Sequence, residues 1–432
     1  MNKIRLFFPV VFMIFICITP LEALAVKRTI LPNGLTILTK PVTSNNIVSV
    51  VVTLKMGSLY ETDEKAGLCT LMQDTILKGT KTRTSEQIAL ELESMGTQIA
   101  TSADREYGSL SINSTSESLY KSLDILYDIL LNATFPDDAV ALQKKLQTRN
   151  ILLIHDQLLY RAMELMVEAH YGDHPFHKPR EGYITTVENL TREDIIEYYR
   201  TFFVPNNIVI TAVGNFNEKR LVSDITDKLG RLPHGEDPIR VTGESTVRTS
   251  PVEMTEKRET AADWFALGWP SASLEDPDYF AMEVLNAITG GSMNSRLFVA
   301  IREKRGLAYQ VSSFVNARKE SGIYVAYIGT KPETYEEAKQ VLIDEVRRLS
   351  YEEPSFEEIK NAKNFLKGMH IMGQESNAGQ AFQYGDYEIL GLGYEFVNQY
   401  NNGVEKITAQ DITRAGGKYL SGYYALGGVL AE

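Results

Sequence analysis

Cysteine is nearly absent from this chain, with only Cys17 and Cys69 in 432 residues. Cys17 lies in a leader that is removed and has no small residues before it to mark a lipid-attachment site. Cys69 is then the sole cysteine of the mature chain, which excludes an intrachain disulfide. Long apolar runs are also missing. The one candidate, Leu6 to Ile18, is interrupted by Pro9 and falls well short of the ~20 residues of a spanning helix. It follows Lys3 and Arg5 and precedes Ala23-Leu24-Ala25, so residues 1–25 read as a secretory signal peptide cleaved after Ala25, with no stable membrane insertion afterwards. Positive charge is in deficit: 44 Lys and Arg against 56 Asp and Glu give −12, or −13 once Lys3, Arg5 and Glu22 have left. Such a chain is not a nucleic-acid binder by charge, and a cationic peptide suits it better than an anionic one.

Several reactive patterns are lacking as well. There is no Ser-His-Asp or Cys-His arrangement, and Cys69, beside Leu68 and Leu71, reads as a small core residue. Gly290-Gly291-Ser292 has neither the Lys nor the strand-to-helix setting of a phosphate loop and reads as a flexible loop. His170, His174 and His177 cluster, but Gly172 and Pro175 break the helix that would align the first two, so a loop-structural role is expected rather than a metal site. His155 and His370 stand alone in helical patterns and read as structural.

What is present is ordinary globular material, 44% hydrophobic and 23% charged, in a chain long enough for two to four domains. Residues 29–39 form a hairpin signal around Pro32-Asn33-Gly34, and a strand follows from Ile47 to Lys55. Helices are expected over Gly67 to Thr80 and over Ser85 to Met95, the second capped by Ser85. Strands at Thr97 to Ser102 and Tyr107 to Ser114 precede a helix from Ser116 to Leu131. One long helical pattern then runs from Phe135-Pro136 to about His170. Thr191 and Asp194 open another helix as a capping pair, and a buried strand at Asn207 to Gly214 closes the half.

Polar residues around 233–261 read as a connection. The second half then echoes the first, with helices at Asp276 to Thr289, Ser295 to Lys304, Tyr335 to Leu349 and Phe356 to Met372, and strands at Ala308 to Val315 and Gly322 to Gly329. It closes on a helix and a buried strand, Thr408 to Leu420 and Tyr423 to Leu430. The order argues for α+β, and the repeat for duplication of a whole domain. The expected division is a first domain over 26–235, a linker over 236–260 and a second domain over 261–432.

The ordered motifs resemble the pitrilysin/insulinase family of inverted zinc peptidases, in its short bacterial form related to mitochondrial processing peptidase subunits. The likeness covers nearly all of 26–432. It is carried by L-P-N-G-L at Leu31, K-G-T at Lys78, S-M-G-T-Q-I-A-T-S-A-D-R-E-Y at Ser94, Y-G-D-H-P at Tyr171 and T-R-E-D at Thr191. In the second half it is carried by G-G-S-M-N-S-R-L-F at Gly290 and R-E-K-R-G-L-A-Y at Arg302. The resemblance implies two homologous α+β domains forming one half of a clamshell around an extended peptide.

The resemblance also implies a helix at Gly67 to Thr80 bearing H-x-x-E-H, with two zinc-binding His and a Glu that activates water. Counting back from Lys78-Gly79-Thr80 puts Thr70 and Asp74 at the His positions and Gln73 at the base. The third ligand, a Glu in the family, falls at Asn150, and a further family Glu falls at Gln143. Thr and Gln are poor zinc ligands, and Gln cannot accept a proton from water. No metal is therefore expected in this chain. The family's Arg and Tyr, which hold the substrate backbone or the oxyanion, correspond to Arg302 and Tyr309 and are retained. The expectation is a non-catalytic subunit of an exported, periplasmic zinc protease, acting on peptides in trans with an H-x-x-E-H-bearing homologue that carries the zinc. A stand-alone peptide-binding or scaffolding clamshell is the alternative.

Overall fold

The computed structural model describes residues 25–242 and 250–432. The expected signal peptide lies outside the described residues except for Ala25, and among those described no helix is long and apolar enough to cross a membrane.

Strand and helix order in the first half follows the apolar patterning. Its strands are β1 (Lys27–Ile30), β2 (Thr36–Pro41), β3 (Ile47–Leu54), β4 (Gln98–Ala103), β5 (Gly108–Thr115) and β6 (Ile208–Gly214). Its helices are α1 (Leu68–Thr75), α2 (Ser85–Ser94), α3 (Leu119–Asn132), α4 (Asp137–Asp156), α5 (Leu158–Tyr171), α6 (Ile184–Asn189), α7 (Arg192–Phe202) and α8 (Glu218–Leu229). The second half contributes β7 (Val252–Arg258), β8 (Asp263–Ser271), β9 (Gln310–Ala317), β10 (Gly322–Thr330) and β11 (Ala425–Ala431). Its helices are α9 (Tyr279–Thr289), α10 (Tyr335–Arg348), α11 (Phe356–Gly373), α12 (Asn377–Leu390), α13 (Phe396–Lys406) and α14 (Ala409–Tyr419).

Two sheets result, β1-β2-β6-β3-β5-β4 and β7-β11-β8-β10-β9. Without β1 they have the same topology. In each, the first strand pairs parallel with the last, which pairs antiparallel with the second, and the third strand forms the far edge. This is the α+β duplication that the repeat in the sequence implied.

The halves are knitted by an exchange of helices. On α5 of the first half, Met166 packs against Ala266, Ile323 and Val325 of the second sheet. On α12 of the second half, Ala381 and Tyr384 pack against Leu38, Val51, Val209 and Val213 of the first. The approach at β11 is so close that a Cβ on Gly427 would lie 2.1 Å from both the Ala162 O and the Met166 N. Arg318 adds a cross-half ion pair, its Nη1 2.9 Å from Asp104 Oδ2.

Four expectations need correction. The linker over 236–260 contains β7, an edge strand whose alternation V-E-M-T-E-K-R carries too few apolar residues to announce itself. The long helix after Pro136 is two helices, broken at Gln157, which adopts extended φ −87°, ψ 104° without Gly or Pro. The cap of α2 is Thr84, not Ser85: the Thr84 side chain accepts from Gln87 N while Gln87 accepts from Thr84 N. The helix expected from Ser295 includes a π-helical turn at Phe298–Glu303.

Candidate functional site

Helix α1 is set by its N-terminus. Gly67 takes φ 92°, and a Cβ there would sit 2.5 Å from Glu181 O. The buried Glu61 carboxylate accepts from Gly67 N at 3.0 Å and Cys69 N at 2.6 Å, so a side chain from outside the helix serves as its cap. Burial pushes the Glu61 carboxyl up to about 7, against the pull of those two N–H donors and of Lys178. Leu68, Cys69, Leu71, Met72 and Thr75 are buried, which leaves Thr70 and Asp74, one turn apart, toward the open side. Burial also pushes the Cys69 thiol well up, as befits a core residue and not a nucleophile.

Thr70, Gln73, Asp74 and Asn150 line a single cavity of about 400 Å³, with Ser102 of β4 and Arg180 in its wall. Residues spaced eighty apart in sequence thus meet at the positions that the family frame assigns them. Gln143 does not join them: it borders a separate cleft beside Lys78 and Thr84. Thr70 Oγ1 donates to Arg180 O at 2.8 Å, and Gln73 Nε2 donates to Ser102 O at 3.3 Å. Sequence reasoning missed Gln147, also in this wall, whose Nε2 donates to Gly67 O at 3.0 Å and Glu181 O at 2.8 Å. Its only signal was its place one turn before Asn150.

The donor set does not fit zinc. The four family positions offer one carboxylate, a hydroxyl and two side-chain amides, with no imidazole; the other carboxylate of the lining, Glu181, is paired with Arg180, and among the described residues no group of three or more His, Cys, Asp or Glu could hold a metal ion. Gln73 is 2% exposed and has no proton-accepting site strong enough to activate water. Asp74 is pushed up by partial burial, with Lys78 and Arg180 pulling the other way.

Arg302 and Tyr309 lie elsewhere. Arg302 is exposed in the π-helical turn, its guanidinium 5.1 Å from the Phe298 ring centroid. Tyr309 is 52% exposed and immediately precedes the edge strand β9, its N donating to Gly329 O at 2.8 Å. Neither lines the α1 cavity, and neither side chain hydrogen-bonds or ion-pairs with a described residue.

The histidines have structural roles. His174 accepts from Phe176 N at 3.2 Å, His177 bonds to His174 O at 3.0 Å, and His170 packs edge-on to Tyr171. His155 meets Glu164 at 3.2 Å, and His370 stacks on Tyr400. Gly290 is held rather than loose, since Ser313 N and Ser312 Oγ both donate to its carbonyl.

A second cavity, of about 270 Å³, lies between the halves and was not legible in the sequence. Glu106, Glu283, Arg318 and Asp386 line it. Tyr107 OH donates to Asp386 at 3.1 Å, and Tyr400 OH to Glu283 at 3.0 Å. Burial pushes both carboxyls up to about 7.

The duplicated sheets and the changed residues at the family's ligand positions, with no metal-holding group among the described residues, define a peptidase-type chain. Residues 36–182 match the Insulinase (Peptidase family M16) domain, and residues 189–366 match the Peptidase M16 inactive domain. The chain belongs to this family. It is similar to an uncharacterized zinc protease of Rickettsia felis, 29% identical over 90% of this chain and 94% of the relative. Uncharacterized zinc protease YmxG of Bacillus subtilis is 26% identical over 87% and 92%. Among solved structures, a Helicobacter pylori protease superposes with TM-score 0.85 at 17% identity, over 94% of this chain and 99% of that one. A Pseudomonas fluorescens peptidase M16 inactive domain gives 0.87 at 19%, over 95% and 98%.

Proposed function

We propose that this chain is the zinc-less, peptide-binding subunit of an exported insulinase-type protease, and that Arg302 and Tyr309 serve the active site of a homologous partner bearing H-x-x-E-H. The observation that carries the reading is the preserved cavity: its positions Thr70, Gln73, Asp74 and Asn150 still converge, while no set of metal ligands survives among them. A chain relieved only of its metal keeps the shape that binds substrate. Strand β4 ends its sheet and its Ser102 lines the cavity, which supports an extended peptide as the occupant. Arg302 and Tyr309 are exposed, and their side-chain donors are uncommitted among the described residues, as groups acting on a substrate in trans must be. The expected signal peptide over residues 1–25 supports a periplasmic location for the complex.

The test is purification of the tagged chain from its native host. The expected result is a co-eluting homologue with intact H-x-x-E-H, and peptide cleavage by the complex but not by either chain alone. A monomer or homodimer that binds peptides without turnover would replace this reading with a stand-alone binding clamshell.

A further inference from the structure

The cavity between the halves gathers carboxyls without gathering cations for them. Glu106, Glu283 and Asp386 line it, and no described Lys or Arg lies within ion-pair distance of any of the three. Arg318 also lines it but is paired with Asp104 at 2.9 Å, so it offsets a fourth acid, and Lys319 turns to Glu275. Asp386 supplies charge alone, since its Oδ2 accepts from Tyr107 OH and its Oδ1 is sealed by packing. The other two each keep one open oxygen. Glu106 is 5% exposed; its Oε2 accepts from Lys319 N at 3.3 Å, while its Oε1 has no described partner and is not sealed. Glu283 Oε2 accepts from Tyr400 OH, and its Oε1 is likewise unpartnered and open.

A second feature is independent of the acids. Tyr279 is 7% exposed and lines the same cavity, and its hydroxyl neither bonds to a described residue nor is sealed by packing. It stands one turn before Glu283 on α9, and Tyr387 of α12, whose hydroxyl is also uncommitted among the described residues, lies close to both. Burial, and then the neighbouring Glu283 charge, push both phenols up. A nearly buried hydroxyl left open beside an unpaired carboxyl leaves a place for one more polar group. No group of described residues could hold a metal ion, and Leu274, Val315 and Leu390 make part of the wall apolar, which suits an organic cation over a bare one.

We propose that this cavity binds a small primary amine, its ammonium held by Glu283, Tyr279 and Tyr387 and its short alkyl body against Leu274, Val315 and Leu390. The ammonium brings three donors to three acceptors, and tyrosine rings add attraction for a cation. Because Glu106 belongs to the first half and α9 to the second, the ligand sits across the joint. The site goes beyond the peptide reading and needs no partner chain.

The test is isothermal titration of the purified full chain at pH 8 with n-butylamine, n-butanol and butyrate. The amine should bind one site at least about tenfold tighter than either of the others, the scale of one partly buried ion pair. Glu283→Gln, which keeps an acceptor for Tyr400, should bring the amine to the level of the alcohol and leave alcohol binding unchanged. Tyr279→Phe, which removes the open hydroxyl and keeps the ring, should weaken the amine by about threefold or more. Equal affinity for amine and alcohol, or no amine binding, would overturn the inference. Tighter binding of butyrate would overturn it by making Arg318 the host. An amine preference that survives Glu283→Gln would put the amine on the acidic surface instead, which overturns it too. If Glu283→Gln does not fold, the wild-type comparison and Tyr279→Phe decide the matter.

Discussion

Asp386→Asn should change how stability depends on pH. Asp386 lies on α12, the exchanged helix, and faces Tyr107 and Glu106 of the first half, Arg318 after β9 and Glu283 on α9. Asp104 adds negative charge nearby and is itself paired with Arg318. Burial holds the Asp386 carboxyl near 7 against an ordinary 3.8. Between those values the folded chain keeps a proton that the unfolded chain has released. The contribution of this group is therefore complete below about pH 4 and is lost as pH rises through 7. The slope approaches about 1.4 kcal/mol per pH unit, so the loss between pH 5 and pH 7 is about 2 kcal/mol. Glu61 and Glu283 act in the same direction, whereas His174 and His370, lowered by burial, act oppositely near their ordinary range. The wild-type curve is thus a sum, and the Asn variant isolates one term while keeping an acceptor for Tyr107. Urea unfolding at pH 5, 6, 7 and 8 should show the variant gaining about 2 kcal/mol on wild type between pH 5 and pH 7. A difference that stays constant with pH would refute the protonation of Asp386 at neutrality.

Three further outcomes are expected. Tyr309→Phe should lower kcat of the reconstituted complex by about 10²–10³ with assembly unchanged, and Arg302→Lys, which keeps the charge but loses the fork, should lower it as well; normal turnover in an intact Tyr309→Phe complex would end the catalytic role of the pair. Gly427→Ala should destabilise the chain by about 1–3 kcal/mol in urea unfolding, because its Cβ would meet α5 backbone at 2.1 Å, and a neutral result would contradict the close helix seating. Chelator-washed wild-type protein should contain no stoichiometric zinc by elemental analysis. Restoring His, Glu, His and Glu at Thr70, Gln73, Asp74 and Asn150 should raise zinc content without restoring cleavage, and one tight zinc per wild-type chain would overturn the reading of the site.

The sequence was most informative where a single residue type has no substitute. The family frame, counted back from Lys78-Gly79-Thr80, placed the helix and its changed side chains, and the family count to Asn150 reached the same cavity; Gly67, at φ 92°, is the glycine that α1 starts from. The T-R-E-D motif is also explained locally: Thr191 and Asp194 cap α7, and Arg192 Nε donates to Phe135 O at 2.7 Å. Illegible features were those created by the other half of the chain. Strand β7 is too charged to read as a strand until β11 lies beside it. Helix α12 contains glycines, and Gly385 is needed there because a Cβ would lie 2.6 Å from Thr53 Oγ1 of the first sheet. Glu283 and Asp386 look like ordinary surface acids in sequence, and their elevated carboxyls arise only when the halves meet. The division of Arg302 and Tyr309 from the α1 cavity was likewise invisible to spacing alone.

The exchange of α5 and α12 makes the covalent connection between the halves mechanically redundant. A cut within the segment after α8 would leave two fragments, each already holding the other's helix in its sheet, and they would separate only after Met166 and Tyr384 left their seats. Two such fragments expressed from separate messages would reassemble as a pair, each incomplete without the other.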